Sequence, residues 1–187
     1  MAKQSNFLGE FIKERKTVGA ISPSSKFLMK KMIAPIDFQK ADVIIELGPG
    51  NGVFTKGILE RMKQTSKLFS FELNTPFYEH ISTIIDDKRL ILINDSAEKI
   101  DEHLEKHGIG KVDYIISSLP FTVIPKEVKL TIIDKCVKQL KEDGMFIQFQ
   151  YSLSAKKLLS SKFSQIKMDF AALNFPPAFV YRCKKEH

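Results

Sequence analysis

Three glycines at alternating positions follow an apolar stretch, and they are the residues whose spacing first suggests chemistry. Gly48, Gly50 and Gly52 come directly after the run VIIEL at residues 43–47. Glycine accepts positive φ and lets a ligand approach the backbone closely, so such a loop can place its amides against a nucleoside-bearing ligand. An ordinary strand-to-helix turn uses the same residues, and both interpretations stay open on this motif alone.

Acidic residues stand at the ends of the next two apolar runs. Glu72 lies in the run KLFSFEL, about twenty residues beyond the glycines, which is the distance at which a carboxylate suits the hydroxyls of a ribose. Asp95 closes the run RLILIND, where it could accept a hydrogen bond from an adenine amino group. Helix capping or surface charge would explain either residue alone, but the two acids and the glycines together favour a nucleoside site.

Short β-branched runs alternate with helical stretches from Ala41 onward, which predicts a parallel sheet with helices on both faces. The predicted strands cover residues 42–48, 67–73, 89–95, 112–119, 144–151, 165–174 and 178–184. The last two are expected to form an antiparallel hairpin. The first predicted helix begins near Lys26. Five further helices are predicted over about 53–63, 76–85, 98–106, 125–141 and 154–159. Ligands of open α/β sheets bind beyond the carboxyl ends of the strands, where the glycine loop lies.

Composition indicates one globular domain without a membrane span or a metal centre. Of the 187 residues 43% are hydrophobic and 27% charged, and no apolar run approaches the roughly 18 residues that cross a bilayer. The polar start MAKQSNF is unlike a secretory signal, so we expect a cytoplasmic protein. Cys136 and Cys183 lie far apart without a CxxC pattern, which indicates neither a disulfide framework nor a zinc site.

Positive charge is concentrated at the two ends of the chain. Residues 1–31 carry a net charge of +5 and residues 182–187 one of +2, which leaves the stretch between them neutral. Basic ends favour an anionic partner, either a nucleic-acid backbone or an anionic membrane surface. A plain solvated surface stays an alternative.

An amphipathic helix is predicted near the N-terminus. Its apolar stripe consists of Phe7, Leu8, Phe11 and Ile12, and its other faces are basic. Such a helix could lie in a membrane interface or pack on the core of the domain. We therefore divide the chain into an N-terminal basic segment, 1–40, and a domain, 41–187.

The motifs as a set resemble the class I S-adenosylmethionine-dependent methyltransferases. ELGPGNG at 46–52 resembles their first motif, FELN at 71–74 their ribose-binding strand end, and NDSAEKI at 94–100 their adenine-contacting turn. This resemblance covers almost the entire chain and implies a Rossmann-like seven-stranded sheet that binds S-adenosyl-L-methionine. The cofactor-binding residues that it implies are Glu46, Gly48, Gly50, Gly52, Glu72, Leu73, Asp95, Ser96, Ala97 and Ser117. Ser24 and Ser25 could cap the helix near Lys26 and face the methionine carboxylate of the cofactor.

Two subfamilies are similar to the chain around the motif SSLPF at 117–121. Ribosomal RNA adenine dimethylases typically have Asn at the start of this motif, where the chain has Ser118. Bacterial phospholipid N-methyltransferases resemble it over VGAISPSSKFLMKKM, SSLPFTVIP, MFIQFQYS and NFPPAFVYR. We favour the second resemblance, which implies methylation of phosphatidylethanolamine-type lipids by an enzyme peripheral to the cytoplasmic membrane face.

The implied reaction requires that an amine be positioned and lose its proton. Ser118 and the Leu119 carbonyl are expected to accept hydrogen bonds from the amine, Phe121 to face the methylated ammonium, and Tyr151 to bind the lipid phosphate. Core packing is the alternative for Phe121, and a structural role is the alternative for Tyr151. Two other functions stay open: methylation of an amine in RNA, and cofactor binding without turnover.

Overall fold

A single sheet of seven strands positions every other element of the protein. The computed structural model describes residues 23–185. The strands are β1 Val43–Leu47, β2 Lys67–Phe71, β3 Leu90–Ile93, β4 Val112–Ser117, β5 Leu140–Gln150, β6 Gln165–Ala171 and β7 Ala178–Lys184. Their spatial order is β3-β2-β1-β4-β5-β7-β6, in which the first five strands run parallel and β7 is antiparallel to β5 and β6. This arrangement confirms the predicted Rossmann-like α/β fold.

Helices cover both faces of the sheet. They are α1 Pro23–Ile33, α2 Val53–Leu59, α3 Thr75–Ile84, α4 Ile100–Lys106, α5 Lys126–Gln139 and α6 Lys156–Ser160. One apolar cluster joins α1 and α2 to one face, and a second joins α4, α5 and α6 to the other. No helix within residues 23–185 combines the length and apolar character needed to cross a membrane.

The central strand β1 is buried on both faces, as its uninterrupted apolar sequence predicts. Ile44 packs into the α1–α2 cluster, whereas Ile45 and Leu47 pack into the α4–α6 cluster. Successive side chains of a strand point to opposite faces, so five residues supply both cores. The carboxyl end of this strand, where the glycines follow, therefore lies in the middle of the sheet and is held from both sides.

The seven predicted strands are all present, and most boundaries agree within a few residues. Four predicted boundaries were wrong by three or four residues. The helix predicted over 53–63 ends at Leu59, and the strand predicted over 165–174 ends at Ala171. Strand β5 begins at Leu140 instead of 144, because Leu140 pairs with Val112 at the start of β4. Helix α1 begins at Pro23, a residue whose fixed φ suits the first turn of a helix, so Ser24 and Ser25 lie within that turn and not ahead of it.

Helix α1 belongs to the domain core, although the sequence analysis placed it in the N-terminal segment 1–40. Its buried residues Leu28, Met29, Met32 and Ile33 join the cluster on α2 and the sheet. The predicted amphipathic helix with Phe7 and Phe11 lies outside the described residues. Its role and the division of the chain near residue 40 stay predictions.

Contact between α1 and α2 requires a residue without a side chain at Gly57. A Cβ atom at this position would lie 2.6 Å from the Met29 sulfur and 2.9 Å from its methyl carbon. The flexible Met29 side chain must shift to make room, so we expect Gly57→Ala to destabilise the protein by no more than about 1 kcal/mol. In a Met29→Ala background the same change should stabilise it by about 0.5–1 kcal/mol, the helix-propensity gain alone. Urea unfolding of the four proteins measures both values, and equal effects in the two backgrounds would contradict the prediction.

Candidate functional site

The glycine loop leaves the carboxyl end of β1 in a conformation that other residues rarely adopt. Gly48, Gly50 and Gly52 have φ values of +72°, +60° and +78°. A Cβ atom at Gly48 would also lie 3.2 Å from a methyl carbon of Leu119 in the neighbouring loop. At these three positions no side chain stands between the backbone and a ligand, and a side chain there would strain the loop.

Glu72 connects the glycine loop to the end of β2. One oxygen of this nearly buried carboxylate accepts a hydrogen bond from the Gly50 amide at 3.0 Å, and the other accepts one from the Asn74 amide at 2.9 Å. Leu73, the next residue, is 54% exposed. The carboxylate and an apolar surface therefore lie side by side next to the loop, which is the combination that a ribose and an adenine ring require.

Glu46 is fully buried beneath the glycine loop. Its Oε2 accepts hydrogen bonds from the hydroxyls of Thr55 and Ser70, each at 2.8 Å, while no partner contacts its Oε1 among the described residues. Burial raises the pKa of this carboxyl from 4.5 to about 7, although the two hydroxyls lower it and the charge of Glu72 raises it further. The carboxyl is therefore close to half ionised at neutral pH.

Asp95 at the end of β3 is held as a carboxylate. Partial burial acts to raise its pKa, but hydrogen bonds from His103, the Ser96 amide and Lys99 outweigh it and lower the pKa to about 2. The His103 ring contacts Asp95 at 3.1 Å and packs edge-on against Phe71 of β2. Asp95 is thereby fixed as an ionised acceptor at the rim.

The end of β3 is also joined to the end of β2. The Asn94 side chain donates to the Glu72 carbonyl at 2.8 Å. Ser96 caps a short 3-10 helix, Ala97–Lys99, through a hydrogen bond to the Glu98 amide. The predicted adenine-contacting residues Asp95, Ser96 and Ala97 thus form one continuous turn beside the predicted ribose-binding residue.

The SSLPF loop lies on the other side of the glycine loop. The Ser118 amide donates to the Leu47 carbonyl at 2.9 Å, which continues the β1–β4 ladder past the last paired residues. Ser117 is fully buried, and its hydroxyl accepts a hydrogen bond from the Leu119 amide at 3.3 Å. Ser118 is 6% exposed, and the loop that contains it lies beside the glycines.

Two glutamines of β5 hold the SSLPF loop by one carbonyl group. The side-chain amides of Gln148 and Gln150 donate to the Leu119 carbonyl at 3.1 Å and 2.9 Å. A carbonyl oxygen has two lone pairs, and both are used here. The predicted hydrogen bond between this carbonyl and a substrate amine would therefore require one of the two glutamine amides to move away.

The two aromatic residues predicted at the acceptor site have different surroundings. Phe121 is 2% exposed and packs in the α4–α6 cluster, which favours core packing over contact with an ammonium group. Tyr151 is half exposed directly after Gln150, and its ring packs edge-on against Phe149. Of the two, only Tyr151 presents its ring to a ligand. The side chains of Ser24 and Ser25 lie outside the described part of the structure, so their predicted cofactor contact stays a prediction.

Sequence reasoning missed the residues that support the site from behind. Gln148 and Gln150 are polar residues two apart in the otherwise apolar run MFIQFQY, and that alternation is a signal that could have found them. Thr55 and Ser70 reach Glu46 from elements that are distant in sequence, and His103 approaches Asp95 from α4. No spacing rule in the sequence predicts those three contacts.

The described residues fit the predicted cofactor. The glycine loop, the Glu72 carboxylate, exposed Leu73 and ionised Asp95 follow one another along the carboxyl ends of β1, β2 and β3. The carboxylates can accept hydrogen bonds from a nucleoside, whereas the amides of Gly48, Gly50 and Gly52 donate within the protein to Phe71, Glu72 and Pro49. The buried Glu46 oxygen lies below the loop. Among residues 23–185 no group of three or more His, Cys, Asp or Glu side chains has the arrangement of a metal site.

Comparison with known families matches residues 13–169 to the model described as ribosomal RNA adenine dimethylase. Ornithine lipid N-methyltransferase of Singulisphaera acidiphila is 25% identical over 180 residues, which are 95% of this chain and 94% of that protein. Ribosomal RNA small subunit methyltransferase A of a Sulfurihydrogenibium species is 28% identical over 139 residues, 71% of this chain. The matched part spans 52% of that relative's length.

Solved methyltransferase structures share the fold. One is the 1,6-didemethyltoxoflavin-N1-methyltransferase of Burkholderia thailandensis, solved with 1,6-didemethyltoxoflavin and S-adenosylhomocysteine bound. The TM-score is 0.72 at 13% identity, over 98% of this chain and 87% of that one.

The burial of Glu46 predicts a pH-dependent stability that a neutral residue would abolish. A carboxyl whose pKa is higher in the folded than in the unfolded state stabilises the protein fully below pH 4.5 and loses that contribution as the pH rises through about 7. We expect Glu46→Gln to gain stability relative to the parent by roughly 3 kcal/mol between about pH 4.5 and 8. Urea unfolding across this range measures the difference. Glu60→Gln, at an exposed position, is the matched control. If the free energy of unfolding of Glu46→Gln depended on pH as that of the parent does, the prediction would be contradicted.

Proposed function

The chain belongs to the ribosomal RNA adenine dimethylase family of class I methyltransferases, and we propose that within this family it methylates the amine of a membrane lipid headgroup. It is an S-adenosylmethionine-dependent methyltransferase. The acceptor and the atom that is methylated are the proposed part. Phosphatidylethanolamine-type lipids are the acceptors that the sequence motifs favour, and ornithine lipid is the acceptor named for a relative similar over nearly the full length of both chains.

The observation that carries the proposal is the chemistry of the SSLPF loop at residues 117–121, which we call the acceptor loop. Asn typically begins this motif in the RNA-modifying members of the family, and a side-chain amide both accepts and donates hydrogen bonds. This chain has Ser118, whose single hydroxyl cannot form the paired contacts that a planar adenine edge offers. A tetrahedral alkyl amine presents no such edge, and one acceptor is enough to orient its lone pair.

The residues of the loop position the amine and do not act as a strong base. When bound, S-adenosylmethionine supplies a methyl group that its positively charged sulfur activates. A lipid ammonium resembles that of Lys, whose pKa is about 10.4, so one proton must leave before attack. Residues 117–121 and 148–155 contain no carboxylate or imidazole. The Ser118 hydroxyl therefore holds the amine by hydrogen bonding, and the proton passes to water.

Methylation of an amine in RNA is the second candidate. It is favoured by the family model and by the similarity to small subunit methyltransferase A, although the matched part spans about half of that relative. Under this alternative the lysines around the acceptor end would bind phosphates, and binding would weaken steeply with salt.

Transfer of label from radioactive S-adenosylmethionine tests the proposal directly. The pure protein is offered phosphatidylethanolamine vesicles, ornithine lipid vesicles and ribosomal RNA in separate reactions, and label is counted in each extract. We expect label in lipid, and none with Glu72→Ala, which removes the carboxylate that holds the Gly50 amide. Label in RNA alone would overturn the proposal, and so would cofactor binding without transfer to any acceptor.

The two glutamines predict a variant that impairs turnover while cofactor binding is retained. Gln150→Leu removes one of the two donors to the Leu119 carbonyl and so loosens the loop that carries Ser118. We expect kcat/KM for the methyl acceptor to fall by roughly 5–30-fold, the effect of about 1–2 kcal/mol. The Kd of the cofactor, measured by calorimetry, should change less than about twofold, because the glycine loop is untouched.

The matched control is Gln165→Leu. Gln165 is exposed and lies at the end of β6 that is far from the acceptor loop, so this substitution should leave both values unchanged. A Gln150→Leu enzyme with the parental kcat/KM would contradict the role of Gln150 in holding the acceptor loop. An equal loss of cofactor affinity would show instead that the substitution disturbs the whole site.

A further inference from the structure

Large apolar side chains are exposed together beside the acceptor loop. Leu173 and Phe175 are 72% and 84% exposed, and Tyr151, Leu153 and Phe170 are each about half exposed. We call these five residues the apolar rim. Single exposed apolar residues are ordinary, but a group of them on one part of a surface indicates an interaction site.

The register of the sheet places the apolar rim at the edge that carries the active site. Gln150, Phe179 and Phe170 pair in one row across β5, β7 and β6. The hairpin turn 172–177 therefore lies beyond the carboxyl end of β5, as Tyr151 and Leu153 do. Gln150, in the same row, contacts the Leu119 carbonyl of the acceptor loop.

The fold itself holds the hairpin side chains in solvent. Asn174, between Leu173 and Phe175, is 4% exposed. Its side chain donates to the Pro176 carbonyl at 2.6 Å, and its amide donates to the Ala171 carbonyl at 3.2 Å. The turn is thus stabilised from within by the polar residue, and its two apolar neighbours remain outside.

Charge distinguishes this end of the sheet from the other. Helix α1 and residues 151–160 together contain five lysines and no acidic residue. Lys31 of α1 reaches the backbone of Phe170 and so brings the lysine-rich helix next to the rim. Residues 75–109, at the β3 end of the sheet, contain eight acidic and four basic residues.

We propose that the apolar rim is a membrane-docking surface, in which Leu173 and Phe175 insert into the interface of an anionic bilayer while the surrounding lysines contact lipid phosphates. The inference rests on the proposed lipid acceptor. The combination of apolar insertion and basic flanks is the physical basis of interfacial binding. Leu153 and Leu173 have no ring to stack on a base, whereas the three aromatic residues of the rim could contact either lipid or bases, so the leucines favour a lipid surface.

Docking in this orientation brings the acceptor site to the lipid. The rim and the acceptor loop share the carboxyl edge of the sheet, so an enzyme resting on Leu173 and Phe175 has Ser118 next to the headgroup layer. The acidic β3 end lies at the other end of the strand order from the β6–β7 hairpin. The rim is formed by residues 151–175, far in sequence from the predicted amphipathic helix near the N-terminus.

A tryptophan reporter tests insertion, since the chain contains no Trp. In the full chain, Phe175→Trp should show a blue-shifted emission on vesicles of phosphatidylcholine with phosphatidylglycerol, and no shift on phosphatidylcholine alone. His80→Trp, at an exposed position of α3 on the acidic side, is the control and should show the same emission on both kinds of vesicle. Equal spectra for Phe175→Trp with and without anionic vesicles would overturn the proposal.

The paired variant Leu173→Ser with Phe175→Ser separates docking from chemistry. We expect its partitioning onto the anionic vesicles to fall by roughly tenfold or more. Activity on vesicle lipid should fall in parallel, while activity on a soluble short-chain phosphatidylethanolamine stays near the parental value. If this variant bound the anionic vesicles as the parent does, the docking surface would be overturned. The same holds if the variant lost binding to RNA and not to vesicles.

The two proposals fail in different ways. If the parent labels no lipid in either form, the proposed function fails whatever the variant does. If the parent labels lipid and the variant labels vesicle lipid equally well, the function stands and the docking surface fails.

Discussion

The site depends on how the end of β1 is held between its two neighbours. The Gly48 amide donates to the Phe71 carbonyl of β2, and the Leu47 carbonyl accepts from the Ser118 amide beyond β4, both at 2.9 Å. The first bond fixes where the glycine loop begins, and the second fixes where the acceptor loop begins. One peptide group thus sets the distance between the cofactor and acceptor sides. The close approach of Leu119 to Gly48 follows from it, and a side chain at Gly48 would disturb both loops.

The two halves of the sheet present different chemistry, as the proposed function requires. Carboxylates of Glu72 and Asp95 serve the side formed by β1, β2 and β3, where hydrogen-bond acceptors suit a nucleoside. The side formed by β4, β5, β7 and β6 contributes amides, hydroxyls and lysines, and it ends in exposed apolar residues. This second side suits an acceptor that carries negative charge and an apolar body, which is the description of a lipid.

Sequence patterns predicted the strands, helices and motifs well because those features are local. Alternating apolar runs identified all seven strands, and the motifs around Gly50, Glu72, Asp95 and Ser118 lie at the strand ends where they were expected. The misplaced start of α1 and the role of Phe121 share one cause, since burial and capping are decided by distant contacts. The hydrogen bonds from Gln148 and Gln150 to the Leu119 carbonyl were also not predicted, because β5 meets the acceptor loop only in the folded sheet.

The buried carboxyl of Glu46 is the least favourable feature of the site, and its cost argues for a function. An ionised group without solvent opposes folding, and the two hydroxyl donors offset only part of that penalty. The apolar clusters on both faces of β1 provide the stability that tolerates it. A cation bound above the glycine loop would favour the ionised form, and by linkage the ionised carboxyl would favour the cation. An amide or an apolar residue of similar size at position 46 could not take part in that linkage.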